Sequence, residues 1–492
     1  MSVTPDQSWW QTASVYQVYP RSFSDGTLAG ISSRLDYLQW LGVDALWLSP
    51  IFASPMADGG YDVSDFCAID PQFGTLADFD ALLADVHARG MRLLLDWVPN
   101  HTSDQHAWFQ ESRRDRVNPK ADWYVWRDEP ANNWLASFPR GEPAWSFDAE
   151  RGQYYLRCFL KEQPDLNWDN PEVVAAMHDT LRFWLDRDVD GFRMDVVHLL
   201  GKDLSLNDPP ICEERVWGHV PYNDQPKTHE HLRVIRSVLD EYSAVSVGEV
   251  YLLNEEAMTS YHGDDDELHL CFNFRFLWAP FDAAELRSRI ARTIEVMRVR
   301  NAWPTWVLSN HDVPRHRGRY GGGELEARMA AIMLLTLPGT PFMYQGEELG
   351  LVDAVVPPEL AIDPGGRDGC RAPIPWFDVA TQRADTNSIL HFYRRLLQLR
   401  RTTPALNAAG IGRNAFRLLE GSPDVLAWER SDGTETWLIY INPTDQPQSI
   451  ATNGATAGPV VVLATKPSLE GTNLGPHLPA GVALIARRSG TM

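Results

Sequence analysis

Carboxylates, histidines and an arginine stand directly after several short apolar runs of this chain. Hydrolysis of an acetal needs these residue types, because one acid must protonate the departing oxygen while a second carboxylate attacks the carbon or activates water. An oxocarbenium-like transition state also needs negative charge nearby. The four segments that fit this chemistry are Asp96-Trp97-Val98-Pro99-Asn100-His101, Arg193-Met194-Asp195, Gly248-Glu249 and Asn310-His311-Asp312.

Each segment also has a structural explanation when it is taken alone. Asp96 could cap the following turn, and Arg193 with Asp195 could form an ordinary ion pair on a strand. Glu249 could be any residue at the end of a strand, and residues 310–312 could cap a loop. Because all four segments follow predicted strands, their joint occurrence favours one common site.

The predicted secondary structure shows how these distant segments could meet. Runs rich in β-forming residues alternate with amphipathic helical patterns over about the first 400 residues, which predicts a parallel sheet, either doubly wound or closed into a barrel. Such runs lie at 15–19, 45–48, 91–96, 191–197, 244–249, 305–309 and 342–344, and an eighth could lie near 270–274. Eight strands favour an α/β fold of the (β/α)8 (TIM) barrel type, whose strands end at the rim where active sites lie.

Two helices have clear end signals. Apolar residues spaced three and four apart from Leu76 to Val86 predict a helix that ends at Arg89-Gly90, a basic last turn with a glycine after it. Asn170-Pro171-Glu172 predicts the start of another helix, because it supplies an N-cap, a proline at the first helical position and an acid in the first turn.

Two stretches depart from the alternation. Residues from about 103 to 169 are rich in Trp, Pro, Asn and charge without a helical period, which indicates an inserted subdomain after the third strand. From about 405 onwards, short alternating strands are separated by turn signals such as Ser431-Asp432-Gly433, as in an antiparallel β domain. We therefore predict a catalytic barrel over 1–102 and 170–404, an inserted subdomain B over 103–169 and a C-terminal antiparallel β domain over 405–492.

The composition fits a large enzyme with a neutral substrate. At 492 residues the chain is too long to pack around one ordinary hydrophobic core, so a large domain with smaller modules is expected. The formal net charge of −22 argues against nucleic acid or an anionic membrane as partner, although surface solubility explains most of that charge. The 19 tryptophans could include rings that stack on sugars, but most of them should fill the core.

Targeting signals and cysteine usage predict a cytoplasmic protein. The N-terminal residues contain no basic segment followed by an apolar one, and no run of about 18 apolar residues predicts a membrane span. The five cysteines, at positions 67, 158, 212, 271 and 370, are scattered and odd in number. Buried, reduced thiols are therefore expected rather than a disulfide framework or a zinc site.

Taken together, the four polar segments resemble the conserved regions of the α-amylase superfamily of glycoside hydrolases, in the same order along the chain. The resemblance extends over nearly the whole chain, including the insertion and the C-terminal β domain. Gln163-Pro164-Asp165-Leu166-Asn167-Trp168 is similar to the segment that marks the α-glucosidase and oligo-1,6-glucosidase branch. Residues 366–373 resemble the arginine-containing loop of the same branch.

The resemblance implies a role for each member of the catalytic group. Asp195 would be the nucleophile that forms a β-glucosyl enzyme, and Glu249 would protonate the departing oxygen and then deprotonate water. Asp312 would stabilise the distorted sugar ring by binding its hydroxyls. Arg193 would keep Asp195 ionised, and Glu249 would need a raised pKa in order to arrive protonated.

The same resemblance implies a pocket for one terminal glucose. His101 and His311 would hydrogen-bond sugar hydroxyls. Tyr61 and Asp62 would form a platform and an anchor for the non-reducing end, with Asp62 paired to Arg367. Such a pair would close the pocket and restrict the enzyme to exo-action on short substrates.

The residues at three further positions each have two possible roles. His198 could contact a second sugar on the leaving-group side or could be a hydrogen-bonded rim histidine. Arg371 could belong to the pocket or form a structural ion pair. In relatives, a valine at the position of Val196 accompanies tolerance of α-1,6 bonds, but a β-branched residue also suits a barrel strand, so the linkage stays open.

Two segments depart from the family pattern. Many relatives carry an acid-rich metal-binding loop after the first strand, whereas residues 23–30 are shortened and contain one acid, Asp25. We therefore expect no metal, and no cofactor. Arg157 stands where relatives usually have a histidine, and the sequence assigns no consequence to this change.

These observations predict a retaining, exo-acting α-glucosidase that hydrolyses terminal α-glucosyl bonds of short oligosaccharides, α-1,4 or α-1,6 or both. The alternative is a transglucosidase or a sugar isomerase such as trehalose synthase or sucrose isomerase, because such enzymes share the catalytic residues and differ in how well they exclude water. A non-catalytic, transporter-associated relative would lack a carboxylate and carry an added transmembrane helix, and the sequence shows neither feature. The expected partner is a small oligosaccharide, and the oligomeric state is not predicted.

Overall fold

Eight parallel strands form the central sheet of the protein, in the order expected for a (β/α)8 barrel. The computed structural model describes residues 9–207, 221–408, 410–450 and 458–488. The strands β1 to β8 span Val15–Val18, Ala45–Leu48, Arg92–Trp97, Gly191–Met194, Val245–Gly248, Leu270–Cys271, Thr305–Val307 and Thr340–Tyr344. Their hydrogen-bonded order is β6-β5-β4-β3-β2-β1-β8-β7. The predicted fold is confirmed, including the eighth strand near residue 270.

Helices follow the strands and cover the outside of the sheet. One helix after each strand, from β1 to β8, spans Leu35–Leu41, Leu76–Ala88, Pro171–Leu185, Pro226–Glu241, Glu255–Ser260, Ala283–Arg300, Glu324–Thr336 and Ile389–Thr402. Other helical segments are Trp9–Thr12, Pro20–Phe23, Leu28–Ser32, Ala107–Ser112, Phe274–Leu277, His316–Arg319, Trp376–Ala384, Pro404–Asn407 and the 3-10 turns Val197–Leu199, Pro358–Leu360 and Pro467–Leu469. No helix among the described residues is long and apolar enough to span a lipid bilayer.

The two predicted helix signals are confirmed. Thr75 and Asp78 form a capping box at the start of Leu76–Ala88, and Gly90 follows its end with a φ of 72°. The Asn170 side chain accepts from the backbone of Glu172 at the start of Pro171–Leu185. Local sequence thus determines where these two helices begin.

Alternate residues of the barrel strands face inwards and outwards. Outward residues such as Leu46, Leu93 and Leu95 pack in the large core between strands and helices. Inward residues form a separate apolar cluster that includes Val15, Ala45, Trp47, Leu94, Val245, Val247, Leu270, Val307 and Phe342. Because side chains alternate along a strand, Asp96 lies on the same inward face as Leu94, one step closer to the carboxyl end. The barrel interior therefore changes from apolar to polar towards that end.

Two further sheets are attached to the barrel. In the chain between β3 and β4, Trp126–Arg127, Gln153–Leu156 and Trp145–Asp148 form a three-stranded antiparallel sheet. After the barrel, the antiparallel order is Phe416–Leu418, Leu426–Ser431, Thr436–Asn442, Val482–Arg488 and Val460–Ala464. Small two-stranded pairs join Phe52–Ala53 to Asp65–Ile69 and Gln448–Ser449 to His477–Leu478. The domain boundaries at 102, 169 and 404 stay predictions.

The described cysteines are free thiols. Cys158, Cys271 and Cys370 are buried, as expected, whereas Cys67 is half-buried. Cys212 and the first eight residues, on which the prediction about targeting depends, lie outside the described residues.

Candidate active site

The predicted polar segments lie together at the carboxyl ends of neighbouring barrel strands. Asp96 belongs to β3, Arg193 to β4, and Glu249 directly follows β5. Asp96 stands opposite Arg193 in the β3–β4 ladder, and Arg193 stands opposite Val247 in the β4–β5 ladder. Because partners in a ladder point to the same face, the polar residues project into the same end of the barrel.

Arg193 is the centre of the catalytic group. Its Nη1 donates to Asp96 Oδ1 and to Asp195 Oδ1, both at 2.7 Å, and its Nη2 donates to Glu249 Oε2. The exposed fractions of the side chains are 2% for Arg193, 0% for Asp96, 8% for Asp195 and 12% for Glu249. One buried cation therefore holds three carboxyl groups within reach of one another.

Asp195 and Asp96 hold their protons more tightly than isolated carboxylic acids do. Burial raises the pKa of Asp195; Arg193 opposes that shift, and the charges of Glu249 and Asp96 add to it. Burial also raises the pKa of Asp96 to about 6. Arg193 lowers the pKa of Asp195 but does not outweigh burial among two other carboxylates, so its role in keeping Asp195 ionised stays a prediction.

Tyr61 connects the catalytic group to His311. The two rings stack with their centres 5.4 Å apart, and the Tyr61 hydroxyl donates to Asp96 Oδ2 at 3.0 Å. The Gln17 amide donates to His311 Nδ1 at 2.8 Å, so the ring proton lies on Nε2, which is 3.1 Å from Asp312 Oδ2. Burial lowers the pKa of His311, which keeps the ring neutral. The nearest acceptor for this N–H is the Tyr61 hydroxyl oxygen, 2.5 Å from Nε2, so His311 holds Tyr61 in place.

Arg367 and Arg371 lie among carboxylates on the far side of Asp312. Arg367 donates to Asp312 Oδ1 at 2.8 Å, to Asp58 Oδ1 at 2.6 Å and to Asp363 Oδ1 at 2.8 Å. Arg371 donates to the same Asp312 oxygen at 2.9 Å and to Asp363 Oδ1 at 3.0 Å. Although burial opposes ionisation, the neighbouring N–H of His311 and the charges of the two guanidinium groups hold the pKa of Asp312 well below its usual range. Arg371 therefore belongs to the network around Asp312.

The predicted pair between Asp62 and Arg367 is wrong. Asp62 is fully buried and accepts hydrogen bonds from Ser54 Oγ at 3.0 Å, Ala57 N at 2.9 Å and Asp58 N at 3.0 Å. These bonds use both carboxylate oxygens to shape the turn that presents Asp58 to Arg367. The arginine's partner in this turn is therefore Asp58, and Asp62 supports it.

The sequence contains a signal for Asp58 that the motif comparison missed. Gly59 and Gly60 follow it, with positive φ values of 60° and 108°. A Cβ atom on Gly59 would lie 2.9 Å from Arg371 Nη1, so glycine allows the turn to approach the arginines. An Asp before two glycines, next to a predicted site residue, indicates a turn built for close approach.

His101 lies at the same rim and is held by amide groups. Its Nδ1 is 3.1 Å from Asn100 Nδ2, and its Nε2 is 3.1 Å from Gln163 Nε2. Burial lowers the pKa of His101 to about 4, so the ring is neutral near pH 7. Gln163 also donates to Asp58 Oδ2 at 3.2 Å, which connects His101 to the turn that holds Arg367.

A buried lysine that belongs to none of the sequence motifs lies behind His101. Lys202 Nζ contacts Leu199 O at 2.8 Å, Asn100 Oδ1 at 2.9 Å and Asp165 Oδ2 at 3.2 Å. The Lys202 side chain is 6% exposed and that of Asp165 is 0% exposed. The ammonium thus joins the end of β3, the chain after β4 and the inserted segment at one point. A lone lysine forms no sequence pattern that could have predicted this contact.

His198 is buried beside the predicted acid. Its Nδ1 lies 3.1 Å from the backbone oxygen of Glu249, and burial lowers its pKa to about 4. Of its two explanations, this contact favours the hydrogen-bonded rim histidine. His198 therefore supports the backbone that carries Glu249.

Val196 has an unusual backbone conformation next to Asp195. Its φ is 36°, in the left-handed region that β-branched residues rarely adopt and that costs about 1–3 kcal/mol. Because β4 ends at Met194, Val196 lies outside the strand, so strand propensity does not explain the valine. Its side chain belongs to an apolar cluster with Trp134 and Leu156 of the inserted segment.

The shortened segment after β1 forms a turn. Asp25 Oδ1 accepts from the backbone N of Thr27 at 3.0 Å and from its Oγ1 at 2.7 Å. Within the described ranges, no group of three or more His, Cys, Asp or Glu side chains is arranged to hold a metal ion. The expectation of no metal and no cofactor stays a prediction.

The arrangement is suited to acid–base and nucleophilic chemistry on a neutral, hydroxylated ligand. Asp195 and Glu249 contact the two terminal nitrogens of one guanidinium, so both can reach the same acetal group. Asp312 adds an ionised carboxylate, and His311 adds a neutral donor. Together they supply the carboxyl pair and the negative charge that glycosidic cleavage needs.

The chain is similar to known proteins over most of its length. A family model described as alpha amylase, catalytic domain, matches residues 17–409. A probable alpha-glucosidase of Rhizobium meliloti (strain 1021) is 40% identical over 511 residues, covering 90% of each chain. An oligo-1,6-glucosidase of Halalkalibacterium halodurans is 35% identical over 513 residues, covering 88% of this chain and 90% of that protein. The crystal structure of the alpha-glucosyl transfer enzyme XgtA superimposes with a TM-score of 0.89 at 38% identity, covering 97% of this chain and 99% of that one.

Proposed function

Because this chain belongs to the α-amylase family of glycoside hydrolases, we propose that it is a retaining, exo-acting α-glucosidase of short oligosaccharides. The observation that carries the proposal is the Arg193 guanidinium with Asp96, Asp195 and Glu249 around it. Relatives named alpha-glucosidase and oligo-1,6-glucosidase support the substrate class.

The proposed reaction proceeds by double displacement. Asp195 attacks the anomeric carbon while Glu249 gives its proton to the glycosidic oxygen, so the bond to the leaving sugar breaks and a glucosyl ester forms. The ionised Glu249 then takes a proton from water, whose oxygen attacks the same carbon. Glucose leaves with its original α configuration, and both carboxyl groups return to their starting states.

The charged network around Arg367 supports exo-action. Asp58, Asp312 and Asp363 surround this arginine within 2.8 Å, and Arg371 joins two of the same carboxylates. Such a cross-linked set closes one end of a pocket and offers charged partners to the hydroxyls of a terminal sugar. The proposed ligand is therefore the non-reducing end of a small oligosaccharide. Substrates with α-1,4 linkages and substrates with α-1,6 linkages both fit this proposal.

Transglucosylation is the second candidate, because the chain resembles the alpha-glucosyl transfer enzyme XgtA over nearly its whole length. Transfer would use the same first step, and a sugar instead of water would then attack the ester. Sugar isomerisation is the related alternative. A cytoplasmic location stays a prediction from the targeting signals and the cysteine usage.

Products from maltose, isomaltose, sucrose and trehalose would test the proposal, with the anomer of the first glucose recorded by NMR. Initial α-glucose from maltose or isomaltose is expected. Longer or isomerised sugars with little free glucose would favour the transfer candidate, and initial β-glucose would exclude retention.

The variant Asp195→Asn tests the nucleophile. The two side chains have nearly the same shape, so the fold should persist while turnover falls by about 10³-fold or more. Asp36→Asn, at an 85% exposed carboxylate paired with Arg89, is the matched control and should keep wild-type turnover. Wild-type rates in Asp195→Asn would contradict the assignment.

A further inference from the structure

The side-chain amide of Asn100, behind His101, has its orientation fixed by a lysine. Lys202 Nζ donates to Asn100 Oδ1 at 2.9 Å, and the asparagine is fully buried. Because an ammonium group has only donors, the amide oxygen must face it. The amide nitrogen therefore faces His101 Nδ1, which lies 3.1 Å away. Lys202 thus decides which end of the Asn100 amide the histidine meets.

The side-chain amide of Gln163 is fixed on the opposite side of the ring. Its Oε1 accepts from Leu160 N at 3.0 Å, and its Nε2 donates to Asp58 Oδ2 at 3.2 Å. The same Nε2 lies 3.1 Å from His101 Nε2. Turning this amide around would place its oxygen against a carboxylate and its N–H groups against a backbone N–H. Each ring nitrogen of His101 therefore has an amide nitrogen beside it.

A neutral imidazole can accept a hydrogen bond from only one of these two amides, since it has one bare nitrogen and one N–H. Among the described residues, Asn100 Nδ2 has His101 Nδ1 as its acceptor, whereas Gln163 Nε2 also has Asp58. A buried donor without an acceptor costs free energy, so the arrangement that satisfies Asn100 is the favourable one. His101 Nδ1 is then the bare nitrogen, and the ring hydrogen lies on Nε2.

His101 Nε2 lies beside the network that is proposed to hold the terminal sugar. The Asp58 carboxylate that accepts from Gln163 also accepts from Arg367, at 2.6 Å. A hydrogen bond with the backbone of Tyr61 places the same ring next to the proposed sugar platform. An N–H at Nε2 selects a sugar hydroxyl that accepts, whereas a bare Nε2 would need one that donates. The position of one hydrogen therefore affects how the pocket reads a hydroxyl.

We propose that Lys202, acting through Asn100, is a positioning residue that places the ring hydrogen of His101 on Nε2 and so presents an N–H donor to a hydroxyl of the terminal sugar. Without the ammonium, the Asn100 amide is free to turn and offer its oxygen to an N–H at Nδ1. Nε2 would then accept from Gln163. Because this reversed tautomer satisfies both amides, Lys202 is the group that prevents it. The contact with the sugar rests on the proposed function, and the tautomer does not.

The variants Asn100→Asp and Lys202→Met test the tautomer by NMR of the ligand-free protein with isotopically labelled histidine. The chemical shifts of the ring nitrogens show which one carries the hydrogen, and His101→Gln assigns the His101 signals by removing them. The wild type should carry the hydrogen on Nε2. Asn100→Asp keeps an oxygen for Lys202 but places a second oxygen opposite Nδ1, so the hydrogen should move to Nδ1. Lys202→Met should shift the population in the same direction.

Inhibition by glucose, a neutral probe for the terminal-sugar pocket, tests the consequence for binding. With p-nitrophenyl α-glucoside as substrate, its inhibition constant should rise about fivefold or more in both variants, because an N–H donor to a hydroxyl is lost. Asn387→Asp makes the same change as Asn100→Asp at an exposed residue, and Lys227→Met removes the ammonium of an exposed pair. These matched controls should change neither the His101 tautomer nor the inhibition constant.

A loss of stability alone would not reverse the tautomer, so the NMR result separates positioning from a purely structural role. A ring hydrogen on Nδ1 in the wild type, or the same tautomer in all variants, would overturn the inference. A reversed tautomer with an unchanged inhibition constant would overturn the contact with the sugar. If the wild type cleaves none of maltose, isomaltose and p-nitrophenyl α-glucoside, the proposed function fails, while the NMR result still decides the role of Lys202.

Discussion

Replacing Lys202 with methionine should destabilise the protein far more than the same change at an exposed lysine. Methionine keeps most of the unbranched side chain but removes the ammonium, which contacts Leu199, Asn100 and Asp165 within 3.2 Å. Among the described residues, Asp165 Oδ2 has the Lys202 ammonium at 3.2 Å as its ion-pair partner and accepts no other hydrogen bond, whereas Oδ1 accepts from Cys158 N at 3.0 Å. The change therefore leaves a fully buried carboxylate without its cation.

The size of the effect follows from burial. Removing one partner of a buried ion pair costs about 3–5 kcal/mol. Lys227 provides the control, because its Nζ lies 2.7 Å from Asp169 but the two side chains are 53% and 54% exposed. Exposed pairs of this kind contribute about 0–1 kcal/mol. If all 492 residues unfold as a unit, a melting entropy of about 2.1 cal/mol/K per residue converts 1 kcal/mol into about 1 °C of Tm.

Differential scanning calorimetry at one scan rate measures the effect. Lys202→Met should lower Tm by about 3–5 °C, and Lys227→Met by at most about 1 °C. The double variant Lys202→Met/Asp165→Asn should recover much of the loss, because it leaves neither charge buried. A Lys202→Met protein as stable as Lys227→Met, or a double variant no more stable than Lys202→Met, would refute this reasoning.

Two further predictions concern the anchoring turn and the pH dependence of stability. Asp58→Asn should lower kcat/KM about tenfold or more with only a small change in Tm, because Arg367 retains two other carboxylates. Asp62→Asn should lower Tm, because it removes an acceptor from backbone N–H groups. Enzyme kinetics and calorimetry on both variants test this, and equal losses of Tm would contradict it. Hydrogen bonds to Asp224 and Glu267 raise the pKa of His229 to about 9, so its contribution to stability is complete below the unfolded pKa of about 6.5 and is lost as pH rises through about 9. His229→Gln should therefore lower Tm at about pH 6 and have little effect on Tm at about pH 10. If Tm differs from that of the wild type by the same amount at both pH values, the assigned pKa of His229 is wrong.

The barrel was predictable because its signals are local. The N-cap, proline and acid at Asn170-Pro171-Glu172 lie within three residues, and they begin a helix in the structure. The weakest strand shows the limit of this approach. Residues 270–274 were expected to form a strand, but β6 contains only Leu270–Cys271, because Asn273 caps the short helix Phe274–Leu277 by accepting from Phe276 N at 2.9 Å. A cap and a strand end compete within the same few residues, and propensity alone does not decide between them.

The chemical types at the site were also predictable, but the choice of charge partners was not. Asp58 and Asp62 stand in one turn, four residues apart, and either could face Arg367, which lies 309 positions from Asp58. Three hydrogen bonds from Ser54, Ala57 and Asp58 itself already occupy the Asp62 carboxylate. A buried carboxylate engaged in this way gains little from a distant arginine, whereas Asp58 needs a cation to balance its own burial. The partner of a charge is therefore decided by which nearby carboxylates the backbone has left unsatisfied, and that depends on the folded turn rather than on residue type.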